Sequence, residues 1–69
     1  MVEVFKTNVM HREGAEQLVS ILRSQLSFSK ISFDLEDCDK ILRVEGKQIC
    51  VETIIEILSM QGLECQVLT

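Results

Sequence analysis

Proline is absent from this chain of 69 residues, and glycine occurs only three times. These shortages exclude collagen-like sequences and proline-rich linkers. Apolar runs reach about three residues, whereas a membrane-spanning helix needs roughly 20. No basic segment followed by an apolar stretch opens the chain, so a secretory signal peptide is not expected. The sequence predicts a single globular domain over residues 1–69, with no membrane partner.

Positive charge is the scarcer sign. Seven Lys and Arg stand against eleven Asp and Glu, which gives a net charge of −4. An acidic surface repels phosphates, which argues against a nucleic-acid partner. Hydrophobic residues make up 46% and charged residues 26%, which is typical of a folded domain and too apolar for a disordered chain.

The cysteines are few and odd in number: Cys38, Cys50 and Cys65. None forms a CxxC pair, and secreted disulfide scaffolds of this length usually carry about four or more. This pattern favours free thiols in a reducing compartment, so a cytoplasmic location is predicted.

Two hydrophobic periods alternate along the first half of the chain. Val2, Val4, Phe5 and Val9 predict a short first strand, although they fall on different parities and leave its inward face open. A helix is expected from Arg12 to Leu26, ending before the serines of residues 27–29. Its apolar stripe consists of Ala15, Leu18, Val19, Leu22 and Leu26, with Ile21 on the flank.

The second half repeats this order. Ile31, Phe33 and Leu35 alternate with polar residues and predict a half-buried strand, and a polar turn at residues 36–39 leads to a third strand over residues 40–45. A second helix is expected from Val51 to Gln61, with Gly62 as a left-handed cap and a last strand over residues 63–68. Its apolar stripe consists of Val51, Ile54, Ile55 and Leu58.

The predicted order is therefore β-α-β-β-α-β. Two right-handed β-α-β crossovers and a central hairpin give an α+β, ferredoxin-like fold. Its four-stranded antiparallel sheet carries both helices on one face, with the second and fourth strands at the edges.

Two segments resemble heavy-metal-associated domains, the copper-chaperone-like modules. The first runs from Phe5 to Leu22, and the second from Ile31 to Leu68 includes Glu52-Thr53-Ile54-Ile55-Glu56-Ile57-Leu58 and Gln61-Gly62-Leu63-Glu64-Cys65. The resemblance rests on element order and apolar pattern. It implies the ferredoxin-like fold and, in the family, carriage of a soft ion such as Cu(I) between two thiolates of an MxCxxC motif.

That motif is degenerate in this chain. Aligning the first helix places Val9 at the methionine position, His11 at the first cysteine and Gly14 at the second. Because both thiolates are lost, the sequence favours protein interaction over the family's metal carriage.

A weak site for a soft metal ion, copper or zinc, is the alternative. Met10 offers a thioether and His11 an imidazole, and the topology places Cys38 at the same end of the molecule. The competing interpretation is an exposed loop histidine, a packing methionine and a tolerated turn cysteine, with no cofactor. Cys50 is expected at the start of the second helix and Cys65 in the last strand, as a buried inert thiol.

No combination of nucleophile and base is visible, since the chain has one histidine and no phosphate-binding or dinucleotide motif. A non-enzymatic domain is therefore predicted. Two hypotheses remain open: an interaction domain that pairs with a protein partner or with itself through its sheet edges, and a divergent metal carrier using Met10, His11 and a cysteine. An ACT-like small-molecule sensor matches the loop at residues 8–14 poorly.

Overall fold

The structure, a computed structural model, describes residues 1–25 and 30–68. Six elements follow in the predicted order, and they are β1 (Val2–Thr7), α1 (Arg12–Gln25), β2 (Lys30–Asp34), β3 (Ile41–Glu45), α2 (Val51–Met60) and β4 (Cys65–Leu68). The prediction that the first helix reaches Leu26 and breaks at residues 27–29 lies outside the described residues.

The four strands form one antiparallel sheet in the order β2-β3-β1-β4. The edges are therefore β2 and β4, as predicted. α1 packs on β2 and α2 packs on β4, and both helices cover the same face, because the residues of the opposite face, such as Lys6 and Arg43, are exposed. The predicted ferredoxin-like α+β fold is confirmed.

The inward face of β1 is the one that carries Phe5. Phe5 and Thr7 are buried, and Val9, just beyond the strand, is 3% exposed. Val2, on the opposite face, is 49% exposed. The alternation of the strand continues from Phe5 through Thr7 to Val9. The odd-numbered residues of β1 therefore face the core, which the sequence had left open.

The core lies between the sheet and the two helices. Leu18 and Leu22 of α1 are buried, as are Ile54 and Leu58 of α2. Ile55 was expected on the same stripe, but it is only half-buried, because a step of about 100° from Ile54 turns it toward the margin of the helix. The buried apolar residues are Phe5, Val9, Ala15, Leu18, Leu22, Ile31, Leu42, Val44, Ile54 and Leu58.

The second helix ends in a glycine motif, as predicted. Gly62 has a φ of 76°, which an L side chain adopts only at a cost. The N–H of Leu63 donates to the carbonyl of Leu58 at 2.9 Å, and that of Gly62 donates to the carbonyl of Ser59 at 2.9 Å. These two bonds form a Schellman motif, which satisfies the last carbonyls of α2 and turns the chain toward β4.

The two helices are short, with 14 and 10 residues. Within the described part of the chain, neither combines the length and apolar character that crossing a bilayer requires. Their role in the structure is to cover the sheet.

Candidate functional site

One end of the molecule gathers the loop after β1, the β2–β3 turn and the segment after α2. Lys6 Nζ lies 3.5 Å from Asp39 Oδ1, and the N–H of Thr7 donates to the carbonyl of Asp39 at 3.1 Å. The N–H of Glu64 donates to Asn8 Oδ1 at 2.9 Å. The turn that contains Cys38 therefore lies at the same end of the sheet as the loop that contains Met10 and His11, as the topology predicted.

Met10 and His11 are both exposed in this loop, and Met10 is 68% exposed. The carbonyl of His11 accepts the N–H of Ala15 at 3.1 Å, so His11 is the residue that precedes the first turn of α1. Its imidazole projects from a helix start, which was the position expected from the sequence.

Cys38 lies between two aspartates rather than beside the histidine. Within residues 1–25 and 30–68, the metal-ligating side chains that gather in a group of three are Asp37, Cys38 and Asp39, whose ligand atoms lie within 4.8 Å of one another. Asp37 Oδ1 already accepts the N–H of Asp39 at 2.8 Å, and Asp39 pairs with Lys6. These carboxylates stabilise the turn, and His11 is not part of the group.

Thr7 is a buried polar residue that the sequence analysis missed. Its Oγ1 donates to the carbonyl of Lys40 at 2.6 Å and accepts the N–H of Val9 at 3.3 Å. Lys40 has a φ of 49°, and Thr7 holds this left-handed residue against the end of β1. The sequence signal that could have predicted the burial of Thr7 is its position two residues from both Phe5 and Val9, which places all three on one face of a strand.

The other two cysteines differ in environment. Cys50 is exposed and precedes α2. The pKa of the Cys50 thiol is lowered mainly by the hydroxyl of Thr53 and, to a smaller extent, by the backbone N–H of Thr53. The thiol forms no capping hydrogen bond, so the lowered pKa reflects how the first turn of the helix would stabilise a thiolate. Cys65 is half-buried in β4, and burial raises the pKa of its thiol to about 11.

Among residues 1–25 and 30–68, the β2 edge has backbone groups with no strand partner, and the register identifies them. Met1 and Gly46 exchange two hydrogen bonds, of 2.8 and 3.0 Å. Because hydrogen-bonding direction alternates along an antiparallel strand, residues 42 and 44 of β3 face β1, and residues 41, 43 and 45 face β2. Residues 41, 43 and 45 pair with Asp34, Ser32 and Lys30 of β2, whose backbone groups therefore point toward β3. The N–H and C=O groups of Ile31 and Phe33 therefore point away from the sheet.

A groove runs beside this edge. It lies between α1 and β2 and has a volume of about 280 Å³. Its lining is Arg12, Ala15, Glu16, Val19, Ile31, Ser32, Phe33 and Leu35. Five of the eight lining residues are apolar, and Arg12 and Glu16 add one charge of each sign. A free strand edge bordered by an apolar groove can supply both backbone hydrogen bonds and side-chain contacts to an added strand.

The two ends of β2 carry opposite charges on the helix-free face. Lys30 and Asp34 are both exposed, with Ser32 between them. Asp34 Oδ1 accepts the N–H groups of Glu36 and Asp37 at 3.2 and 3.3 Å. These bonds fix the Asp34 side chain at the end of the strand.

The comparisons with known proteins add no relative. Neither protein-family models, nor curated proteins, nor solved structures give a match to this chain. The resemblance to heavy-metal-associated domains therefore stays a prediction, and the fold and the β2 edge are the observations on which a function has to be argued.

Proposed function

We propose that this chain is a non-enzymatic interaction domain that binds another polypeptide by adding its strand to the β2 edge. The single observation that carries the proposal is the set of outward-facing N–H and C=O groups of Ile31 and Phe33, next to the groove under α1. Edge strands pair readily unless they are protected.

The geometry suits strand addition better than binding of a small molecule. A strand placed about 4.8 Å from β2 directs alternate side chains to the two faces of the sheet. Those on the helix side meet the apolar groove lined by Ala15, Val19 and Leu35. Backbone pairing then provides affinity, and the groove provides selectivity.

Phe33 allows the backbone contribution to be tested by itself. Its N–H faces outward, so proline at this position leaves the β2–β3 hydrogen bonds intact and removes one donor from the edge. Phe33→Ala removes the same ring but keeps that donor. Val67→Pro is the matched change at the β4 edge, since Val67 pairs with Phe5 at a position where its N–H also faces outward.

The probe is a library of random 12-residue peptides displayed on phage, followed by titration of the selected synthetic peptides. We expect that Phe33→Pro weakens binding at least about tenfold relative to Phe33→Ala, which corresponds to the loss of about one edge hydrogen bond. Val67→Pro should leave binding unchanged. Selected peptides that bind Phe33→Pro and Phe33→Ala equally would contradict the proposal, as would a library that yields no binder.

A further inference from the structure

We infer that the strand that pairs with β2 is the β2 of a second copy of this chain, antiparallel to the first about a twofold axis at Ser32. This inference rests on the proposed function, because it names the partner of the same edge. It is carried by the sequence of β2, Lys-Ile-Ser-Phe-Asp, which has a charge at each end, an apolar residue inside each charge and a serine at the centre.

The backbone groups fit this arrangement. With Ser32 opposite Ser32 of the second copy, Ile31 lies opposite Phe33 of the second copy, and Phe33 lies opposite its Ile31. These are the residues whose N–H and C=O groups face outward. Each such pair exchanges two hydrogen bonds, so the two copies form about four backbone hydrogen bonds and a continuous sheet.

The charges fit the same register. Lys30 lies opposite Asp34 of the second copy, and the twofold axis produces this pair twice. Both side chains are exposed on the helix-free face. They occupy non-hydrogen-bonded positions of the new ladder, where opposite Cα atoms are about 4.5 Å apart and cross-strand side chains lie closest.

Other antiparallel registers that keep outward groups opposite each other are poorer. A shift by two residues centres the axis on Ile31 or on Phe33 and leaves only three residues of the strand paired. It also places Ser32 opposite Lys30 or Asp34, so neither charge meets its opposite. The register at Ser32 pairs all five residues of Lys30–Asp34.

The groove is compatible with a second copy. The twofold axis brings the two grooves between α1 and β2 to face each other. The lining of each groove includes Arg12 and Glu16, so the approaching surfaces carry both signs.

A disulfide at the axis tests the register. Ser32→Cys is placed in a background with Cys38→Ser and Cys50→Ser, which removes the two exposed native thiols. Opposite Cα atoms about 4.5 Å apart lie within the range for a disulfide, so mild oxidation should convert most of the chain to a covalent dimer. Lys30→Cys is the control, because its two copies lie about 13 Å apart, four residues along the strand. It should cross-link no more than the background.

Charge exchange provides a second test. Lys30→Glu places a carboxylate opposite Asp34 in both of the symmetric pairs, and we expect the dimer dissociation constant from sedimentation to rise about tenfold. Mixing Lys30→Glu with Asp34→Lys should yield a heterodimer tighter than either variant alone, with circular dichroism confirming that each is folded. If Asp34→Lys loses its turn and unfolds, Asp34→Asn retains the Oδ1 acceptor, and it should weaken the dimer by a smaller factor than Lys30→Glu.

The outcomes separate this inference from the proposed function. A chain that stays monomeric at millimolar concentration, or equal cross-linking of the Ser32→Cys and Lys30→Cys variants, would overturn the second-copy register. If peptide binding were still weakened by Phe33→Pro in that case, the β2 edge would remain the binding site for a different partner. Cross-linking through Ser32→Cys together with weakening by Lys30→Glu is the result that the inference expects.

Discussion

The two edges of the sheet have similar backbones and different side chains. In the part of the chain that the structure describes, β2 and β4 are each paired on one side only, and each is covered on one face by a helix. β2 carries Lys30 and Asp34 at its ends and borders a groove, whereas β4, Cys65–Leu68, contains no charged residue. Charged side chains can define a pairing register at an open edge, and of these two edges β2 has them and β4 does not.

The largest effects should come from the core beneath each edge. Leu22→Ala in α1 and Leu58→Ala in α2 each remove a fully buried side chain, and each should lower the free energy of unfolding by about 2–5 kcal/mol. Urea titration followed by circular dichroism measures both losses. If Leu22→Ala cost far less than Leu58→Ala, the β2 side would be loosely packed, and the α1–β2 groove would not be a fixed surface.

Thr7 lies between the two edges, since it contacts the β2–β3 turn and pairs with Cys65 of β4. Thr7→Val keeps the shape of the side chain but leaves the carbonyl of Lys40 and the N–H of Val9 without this partner. The expected loss is about 1–3 kcal/mol of unfolding free energy. Thr7→Ser, which retains the hydroxyl, is the control; a larger loss in Thr7→Ser than in Thr7→Val would mean that the methyl group rather than the hydrogen bonds stabilises the turn.

Replacing glycine by alanine should change the stability in opposite directions at Gly62, before β4, and at Gly14, in the helix that covers β2. Gly62→Ala, before β4, places a side chain at a φ of 76° and should cost about 1 kcal/mol. Gly14→Ala lies in α1, on the β2 side, where a Cβ meets nothing within 4 Å, and it should stabilise the protein by about 0.5–1 kcal/mol. Thermal unfolding of both variants measures the difference. Destabilisation by Gly14→Ala would show that the start of α1 needs glycine.

Cysteine reactivity should report on the β4 edge. Cys65 has a pKa raised to about 11 by burial, and the pKa of Cys50 is lowered by Thr53. At pH 8 iodoacetamide should therefore alkylate Cys50 well before Cys65, as measured by peptide mass spectrometry. Thr53→Val should slow the reaction of Cys50; equal rates for Cys50 and Cys65 would mean that β4 opens readily.

The same thiol gives a pH dependence of stability. The folded-state pKa of Cys65 is above its ordinary value of 9, so the unfolded chain releases the proton first. The contribution of Cys65 to stability is fully present below pH 9 and is lost as the pH rises through 11. Cys65→Ala should flatten this part of the stability profile.

The smallest effect is expected for metal ions, at the turn that follows β2. Zn(II) and Cu(I) should bind no more tightly than they bind a short histidine-containing peptide, and His11→Ala or Cys38→Ser should change the affinity by less than about threefold. The physical reason is that Asp37 and Asp39 are engaged in the turn and in an ion pair. Tight binding that both substitutions abolish would instead support the carrier that uses Met10, His11 and Cys38.

The architecture was predictable because its signals are local. Alternation in Ile31 and Phe33, helical spacing in Leu18 and Leu22, and the glycine at position 62 each specify one element without knowledge of the others. Two right-handed crossovers then leave few possible sheets, so the edges could be identified from the sequence.

The features that depend on three-dimensional pairing were not predictable in this way. Thr7 is polar, so its burial interrupts the hydrophobic alternation that would have fixed the face of β1. The outward direction of the Ile31 and Phe33 backbone groups follows only from the hydrogen bonds of Met1 with Gly46, carried across two strands. The match between Lys30 and Asp34 becomes visible once that direction is known.

Amide hydrogen exchange, measured by NMR at low and high protein concentration, compares the two edges in the unmodified protein. We expect the amides of Ile31 and Phe33 to gain protection as the concentration rises, because pairing between copies covers them. The amides of Cys65 and Val67, the matching positions of β4, should not change. Ile31 and Phe33 amides that exchange equally fast at every concentration would contradict pairing between copies through β2, and protection that arises at β4 instead would place that pairing at the other edge.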